Sequence, residues 1–320
     1  MQNLRKLISI IIPVFNEEGN IPVIYQELLK VWGILWDKYD FEIIFVNDGS
    51  LDASAQAIRN IARQNRRVKY LEFSRNFGKE IATTAGLNYS RGYAVIMLDA
   101  DLQHPPQLIP QFVAKWEEGN EIVIGVRNSV KSQKLKKIGS AFFYKIMNLI
   151  GDETKIMPFA TDFSLLDRKV VNEFNRFSER NRMTRGLINW LGFCKDFIYF
   201  DAPERADGRA GYSNLKLVKL ALSSFISHSL FPLKFAGYLG IFITLISGII
   251  GFTILIGKYF FHNAFLSSFT NSAQLAILII FLVGVILSCL GLIALYVGNI
   301  HSEVVGRPMY VIREKGNIEF

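Results

Sequence analysis

Two aspartates, Asp99 and Asp101, close a short apolar run in the stretch VIMLDADLQH, Val95–His104. Alternate side chains of an extended segment point the same way, so both carboxylates face one side. Two negative charges at that spacing repel each other unless a cation lies between them. Magnesium and manganese favour oxygen ligands and bridge readily to phosphates, so Mg2+ or Mn2+ is the expected occupant, with Asp99 and Asp101 as its ligands. An isolated D-x-D also arises as a turn that ends a strand. The neighbouring strand ends decide between the two.

Val95–Leu98 is a run of apolar residues bounded by a turn signal, which reads as a buried strand of a parallel sheet. Three similar runs precede it: Ile8–Pro13, Phe41–Val46 and Val68–Phe73. A fifth, Glu121–Val126, follows and ends at Arg127. Helical stretches intervene, beginning near Asn16-Glu17, Asp52, Glu80 and Pro106. Strand–helix alternation of this kind predicts an α/β doubly wound sheet. In such sheets ligands bind outside the carboxyl ends of the strands. Asn16, Glu17, Asp48, Asp99 and Asp101 all fall at those ends. There the Asp48 carboxylate is suited to accept hydrogen bonds from a base N–H or a ribose hydroxyl, although Asp48-Gly49-Ser50 also reads as a turn and helix cap. Neither a G-x-G-x-x-G after the first strand nor a Walker lysine loop is present, which argues against a dinucleotide fold and a P-loop.

Half of the 320 residues are hydrophobic and mean hydropathy is +0.24, more apolar than an ordinary soluble domain. Lys and Arg outnumber Asp and Glu by 36 to 28. A modest basic excess beside apolar segments points to an anionic membrane face. No basic-aromatic array or zinc spacing argues for nucleic acid as a partner. The two cysteines, Cys194 and Cys289, do not form a disulfide framework and fit a reducing compartment. Leu4–Phe15 has basic residues ahead of an apolar run, but Asn16-Glu17-Glu18 follows without a small-residue cleavage site, so it reads as a strand rather than a signal peptide.

Past the fifth strand the pattern changes. Lys131, Lys134, Lys136 and Lys137 precede an amphipathic stretch, Ser140–Ile150. They read as a solvated helix face or as a cationic lip receiving an anionic acceptor. Asp162 reads as a helix cap or as an active-site carboxylate. Arg205–Asn214 is a Gly-rich loop whose Arg209 is a candidate phosphate clamp, because guanidinium binds phosphate oxygens bidentately. Ser213–Lys234 is a basic amphipathic helix of interfacial type. Two apolar spans follow, Ala236–Gly257 and Leu275–Val297, each about the 20 residues needed to cross a hydrocarbon core. His262–Ser272, between them, has no Lys or Arg, whereas Lys216, Lys219 and Lys234 lie before the pair and Arg307, Arg313 and Lys315 after it. Positive residues stay inside, so both ends and the sheet are expected in the cytoplasm and the hairpin loop outside. Small residues at Gly240, Thr244 and Gly248 permit close helix packing, within one chain or between copies in a homo-oligomer. The expected organisation is a sheet domain over 1–212, an interfacial helix over 213–234, a two-helix transmembrane hairpin over 235–300 and a cytoplasmic tail over 301–320.

The blocks SIIIPVFNEE, EIIFVNDGS, SRNFGKE, MLDADLQHPP, TDFSLLDR, RGLINWLGF and RAGYSN, with the two spans, occur in one order along almost the whole chain. In that order they resemble the family-2 glycosyltransferases of glycosyltransferase-A fold, and within them the polyprenyl-phosphate glycosyltransferases, bactoprenol glucosyltransferases in particular. The resemblance implies an inner-membrane, multi-pass enzyme that transfers a sugar, glucose from UDP-glucose, to undecaprenyl phosphate with inversion. It implies that Pro13, Asn16, Glu17 and Asp48 hold the uridine and that Asp99 and Asp101 bind the diphosphate through the metal, with Gln103 nearby. Arg127, Arg209 and Lys136 or Lys137 would face donor or acceptor phosphates. Asp162 would orient the acceptor or a metal-bound group. Mannose and aminoarabinose transferases to polyprenyl phosphate share these parts. A processive polysaccharide synthase would carry Gln-x-x-Arg-Trp, which RGLINW at Arg185–Trp190 lacks. A noncatalytic membrane scaffold would not need a metal site.

Overall fold

The runs KLISIIIPV and YDFEIIFVN are almost wholly buried, and as β1 (Lys6–Val14) and β2 (Tyr39–Asn47) they pair in parallel well inside the sheet. The structure, a computed structural model, describes residues 5–128, 160–179, 182–201, 252, 256 and 271–318. β3 (Val68–Phe73) and β4 (Ala94–Met97) extend the parallel set on either side, β3 beside β2 and β4 beside β1. The order reverses at β1, so the β1/β4 boundary is the topological switch point, where open α/β sheets form their binding crevice. The remaining strands are β5 (Ile122–Arg127), β6 (Ala160–Asp167), β7 (Lys195–Phe200) and β8 (Ile312–Gly316), and the full order is β7-β5-β6-β4-β1-β2-β3-β8.

Helices cover both faces. α1 (Asn20–Leu35), α2 (Ser54–Gln64) and α4 (Ile109–Glu117) bury Ile24, Ile58 and Phe112 against one face. α3 (Lys79–Tyr89), α5 (Arg168–Asn175) and α6 (Thr184–Trp190) bury Ala85, Phe174 and Leu187 against the other. Gly86 lets α3 lie directly on β1, for a Cβ there would fall 2.2 Å from Ile11 Cγ2. At the N-terminal edge of the sheet the buried Glu42 accepts from Ser9 Oγ and Lys69 Nζ, both at 2.5 Å, and from the Arg91 N–H at 2.8 Å.

Five strands fall where the alternation predicts them, within one or two residues at each end. The parallel expectation needs correcting, because the sheet is mixed. β6 inserts antiparallel between β4 and β5, and β8 adds antiparallel to the β3 edge. Asp162 lies within β6 and is not a helix cap; Asp167 caps α5 instead, accepting the Lys169 N–H at 2.9 Å.

The chain divides into two compact units, Met1–Ser213 with Arg307–Phe320, and Asn214–Gly306. The segment expected as a plain tail therefore carries a strand of the sheet. The second unit contains α7 (Asn271–Val304), 34 residues long, whose sequence has no Asp, Glu, Lys or Arg before Glu303. Counting described residues alone, no helix is long and apolar enough to cross a membrane. The interfacial helix and nearly all of the first expected span lie outside the described residues.

Candidate active site

Four chain turns meet at the carboxyl edge of β1, β2, β3 and β4. After β1, Asn16 adopts φ 57°, donates its N–H to Ser50 Oγ at 3.0 Å and accepts the Leu51 N–H on Oδ1 at 2.8 Å. Glu17 donates its N–H to Ser54 Oγ at 2.9 Å and accepts Asn20 Nδ2 at 2.6 Å, and its backbone carbonyl accepts the Asn20 N–H at 3.0 Å. Pro13 lies in β1 beside Val46 of β2. The turns after β1 and β2 are thus cross-linked into one wall.

Asp48, at the end of β2, is buried, and it accepts the N–H groups of Phe77 at 2.6 Å and Gly78 at 2.9 Å. Burial raises its pKa, opposed by those two hydrogen bonds and by the charge of Arg75. Gly49 beside it has φ 67°, and a Cβ there would sit 2.5 Å from the Arg75 carbonyl carbon, so only glycine fits.

β4 ends in the Asp99–Asp101 turn. Asp101 Oδ1 accepts the Gln103 N–H at 3.2 Å, and Gln103 Oε1 accepts from Arg127 Nη2 at 3.0 Å. The buried Arg127 Nε has no hydrogen-bond partner among the described residues. Leu102, between Asp101 and Gln103, has φ 60°. A positive φ at a bulky residue is strained backbone of the kind that gathers at functional sites. His104 is buried and stacks on Phe163, with ring centroids 5.4 Å apart. Its Nδ1 accepts the Asp99 N–H at 3.2 Å, and burial lowers its pKa against the pull of Asp99. The ring is therefore neutral with its proton on Nε2, and its 3.7 Å approach to Asp99 Oδ2 is not an ion pair.

Sequence reasoning left two cations of the site without a role. Lys79 opens α3, and its Nζ lies 2.6 Å from Asp99 Oδ1 and 2.7 Å from Asp162 Oδ2. Arg185 Nε lies 2.5 Å from the other oxygen of Asp162. Next to Lys79, Glu80 accepts the N–H of Thr184 at 2.9 Å, which fixes the start of α6 and thus Arg185. Burial disfavours the Asp162 charge, but Lys79 and Arg185 outweigh it and hold the carboxyl well below the usual range. Lys136, Lys137 and Arg209 lie outside the described residues.

Asp99 and Asp101 offer only carboxylate oxygens, a donor set suited to Mg2+ or Mn2+. Among the described residues no group of three or more His, Cys, Asp or Glu is arranged to hold a metal ion. The pair fits an ion that draws its remaining ligands from phosphates and water, the usual arrangement for magnesium.

Residues 9–174 match the model of glycosyl transferase family 2. The chain belongs to that family. A Shigella flexneri protein named a prophage-derived bactoprenol glucosyl transferase is 37% identical, covering 97% of this chain and 99% of its own. An uncharacterised glycosyltransferase of Synechocystis is 40% identical over 98% and 96%. Among solved structures, a Pyrobaculum calidifontis mannosyltransferase in complex with GDP-Man and Mn2+ matches with TM-score 0.48 at 16% identity, covering 71% of this chain and 63% of that one. As a family-2 glycosyltransferase the protein is an enzyme, and its mixed sheet is of glycosyltransferase-A type.

Proposed function

We propose that this glycosyltransferase transfers glucose from UDP-glucose to undecaprenyl phosphate, with inversion, at the cytoplasmic face of the inner membrane. The observation that carries this reading is the Asp99–Asp101 pair at the switch-point edge, in a chain that aligns over 97% of its length with a bactoprenol glucosyl transferase. Pro13, Asn16, Glu17 and Asp48 line the uridine side. Asp99 and Asp101 would hold the divalent ion, with Gln103 beside them, and the bound ion offsets charge on the departing diphosphate. Arg127, whose Nε has no hydrogen-bond partner among the described residues, would face a phosphate, and Arg209, Lys136 and Lys137 would serve the acceptor.

The acceptor's chemistry fits the carboxylates present. A phosphate monoester is largely dianionic at pH 7, its second pKa being about 6. It needs no strong base to attack the anomeric carbon. Asp162, held ionised by Lys79 and Arg185, is a poor proton acceptor and suits orientation instead. The greater difficulty is bringing a lipid phosphate to a water-borne donor, and the interfacial helix and apolar spans expected from the sequence would supply that proximity.

Chain connectivity supports the hairpin. The chain leaves the sheet unit at Ser213 and rejoins it at Arg307 to form β8, so any membrane crossings within Asn214–Gly306 must be even in number. Two apolar segments, the second within α7, satisfy that parity. The test is a panel of labelled UDP- and GDP-sugars given to the purified full chain with undecaprenyl phosphate. Lipid-linked label from UDP-glucose is expected; label from another donor alone would reassign the sugar, and label from none would remove the reading.

A further inference from the structure

The β4–β6 pairing ends at Met97 with Ser164, and just beyond it Asp99 and Asp162 converge on the Lys79 ammonium. Two carboxylates held that close repel each other unless a cation lies between them. Lys79 Nζ resolves the conflict by contacting both carboxylates, at 2.6 and 2.7 Å. The ammonium thereby occupies Asp99 Oδ1, an oxygen that a metal ion at the Asp99–Asp101 turn would also seek. A divalent ion arriving alone would have to displace or share that ammonium, and would find two carboxylates in return. An ion arriving on a nucleoside diphosphate brings phosphate oxygens with it and needs fewer from the protein.

We propose that Lys79 is a positioning residue that couples metal binding to donor binding: it neutralises Asp99 together with Asp162, so the site takes its divalent ion with the nucleotide and not ahead of it. The inference rests on the functional reading above. Three features hold the device in place. Asp99 is anchored through its own N–H to His104, Asp162 is anchored by Arg185, and Glu80 ties the neighbouring turn of α3 to α6. A direct consequence is that removing the ammonium leaves Asp99 without its cation and frees its Oδ1 for a bare metal ion, while Asp162 keeps Arg185.

The experiment titrates the full chain in detergent with MnCl2, reading free Mn2+ by electron paramagnetic resonance, with and without UDP. Wild type, Lys79→Met, Lys79→Gln and Lys79→Arg are compared, each checked by thermal unfolding. Wild type should bind Mn2+ at least about tenfold more tightly with UDP than without it, a factor of ten being about 1.4 kcal/mol. Lys79→Met and Lys79→Gln should bind Mn2+ without UDP at least about tenfold more tightly than wild type, while Lys79→Arg keeps the wild-type pattern. UDP-free affinities of the folded Met and Gln variants within about twofold of wild type would overturn the proposal alone. No UDP-supported Mn2+ binding by wild type would overturn the metal-dependent reading of the site, and the proposal with it.

Discussion

Asp48 Oδ2 accepts the Gly78 N–H at 2.9 Å, and its Oδ1 takes the adjacent Phe77 N–H at 2.6 Å. One carboxylate at the end of β2 therefore fixes the loop that leads from β3 into α3, and so places Lys79. Asp48 thus has a structural task, and the proposed uridine contact would draw on its remaining lone pairs.

Asp48→Asn should expose that dual role. An amide presents one acceptor oxygen and one NH2 group, so one of the two N–H groups loses its partner. A buried unsatisfied N–H costs about 1–3 kcal/mol. Thermal or denaturant unfolding should show a loss of that order, and calorimetry should show weaker UDP binding. Unchanged stability would mean that the loop is held by other contacts.

Tyr70 gives a pH test of the returning C-terminal strand. Its hydroxyl donates to Glu314 Oε1 of β8 at 2.6 Å. Burial, then the hydrogen bond and charge of Glu314, push its pKa up to about 12. The folded value lies above the unfolded one, so the contribution is fully present below about pH 10 and is lost as pH rises through the folded value. Wild type should be more stable than Tyr70→Phe at pH 8, with the gap closing above about pH 10. A gap that holds at alkaline pH would separate Tyr70 from the β3–β8 contact.

How much of this was legible in the sequence depended on what each segment buries. β1 to β5 announced themselves because a strand covered on both faces must be continuously apolar. β6 (ATDFSLLD) interleaves polar and apolar residues, and so offered motif residues without showing that they form a strand. β8 (IREKG) is charged, as an edge strand can be, and no hydrophobic pattern marks it. In the site, the aspartates were legible through their spacing. Lys79 and Arg185 were not, because their partner Asp162 comes from an antiparallel strand 83 residues from Lys79 and 23 from Arg185. Only the tertiary fold, which sets the starts of α3 and α6 beside β6, brings the three together.

Topology is open to a labelling test that uses a residue already present. Cys194 is exposed on the sheet unit. In intact cells it should be protected from a membrane-impermeant maleimide and react after permeabilisation. In a background with Cys194 and Cys289 replaced by serine, Ser268→Cys in the expected outer loop should react without permeabilisation. The reverse pattern would overturn the cytoplasmic assignment of the sheet.

The measurement that bears most directly on the central claim is transfer itself. Full-length protein in vesicles containing undecaprenyl phosphate is given radiolabelled UDP-glucose and MnCl2, and the lipid is extracted and counted. The account predicts extractable label that requires the lipid phosphate, disappears with chelator and falls at least about a hundredfold in folded Asp101→Asn, a loss typical of removing a major electrostatic stabiliser. No lipid-linked label from folded wild type, or label undiminished in Asp101→Asn and in chelator, would contradict it.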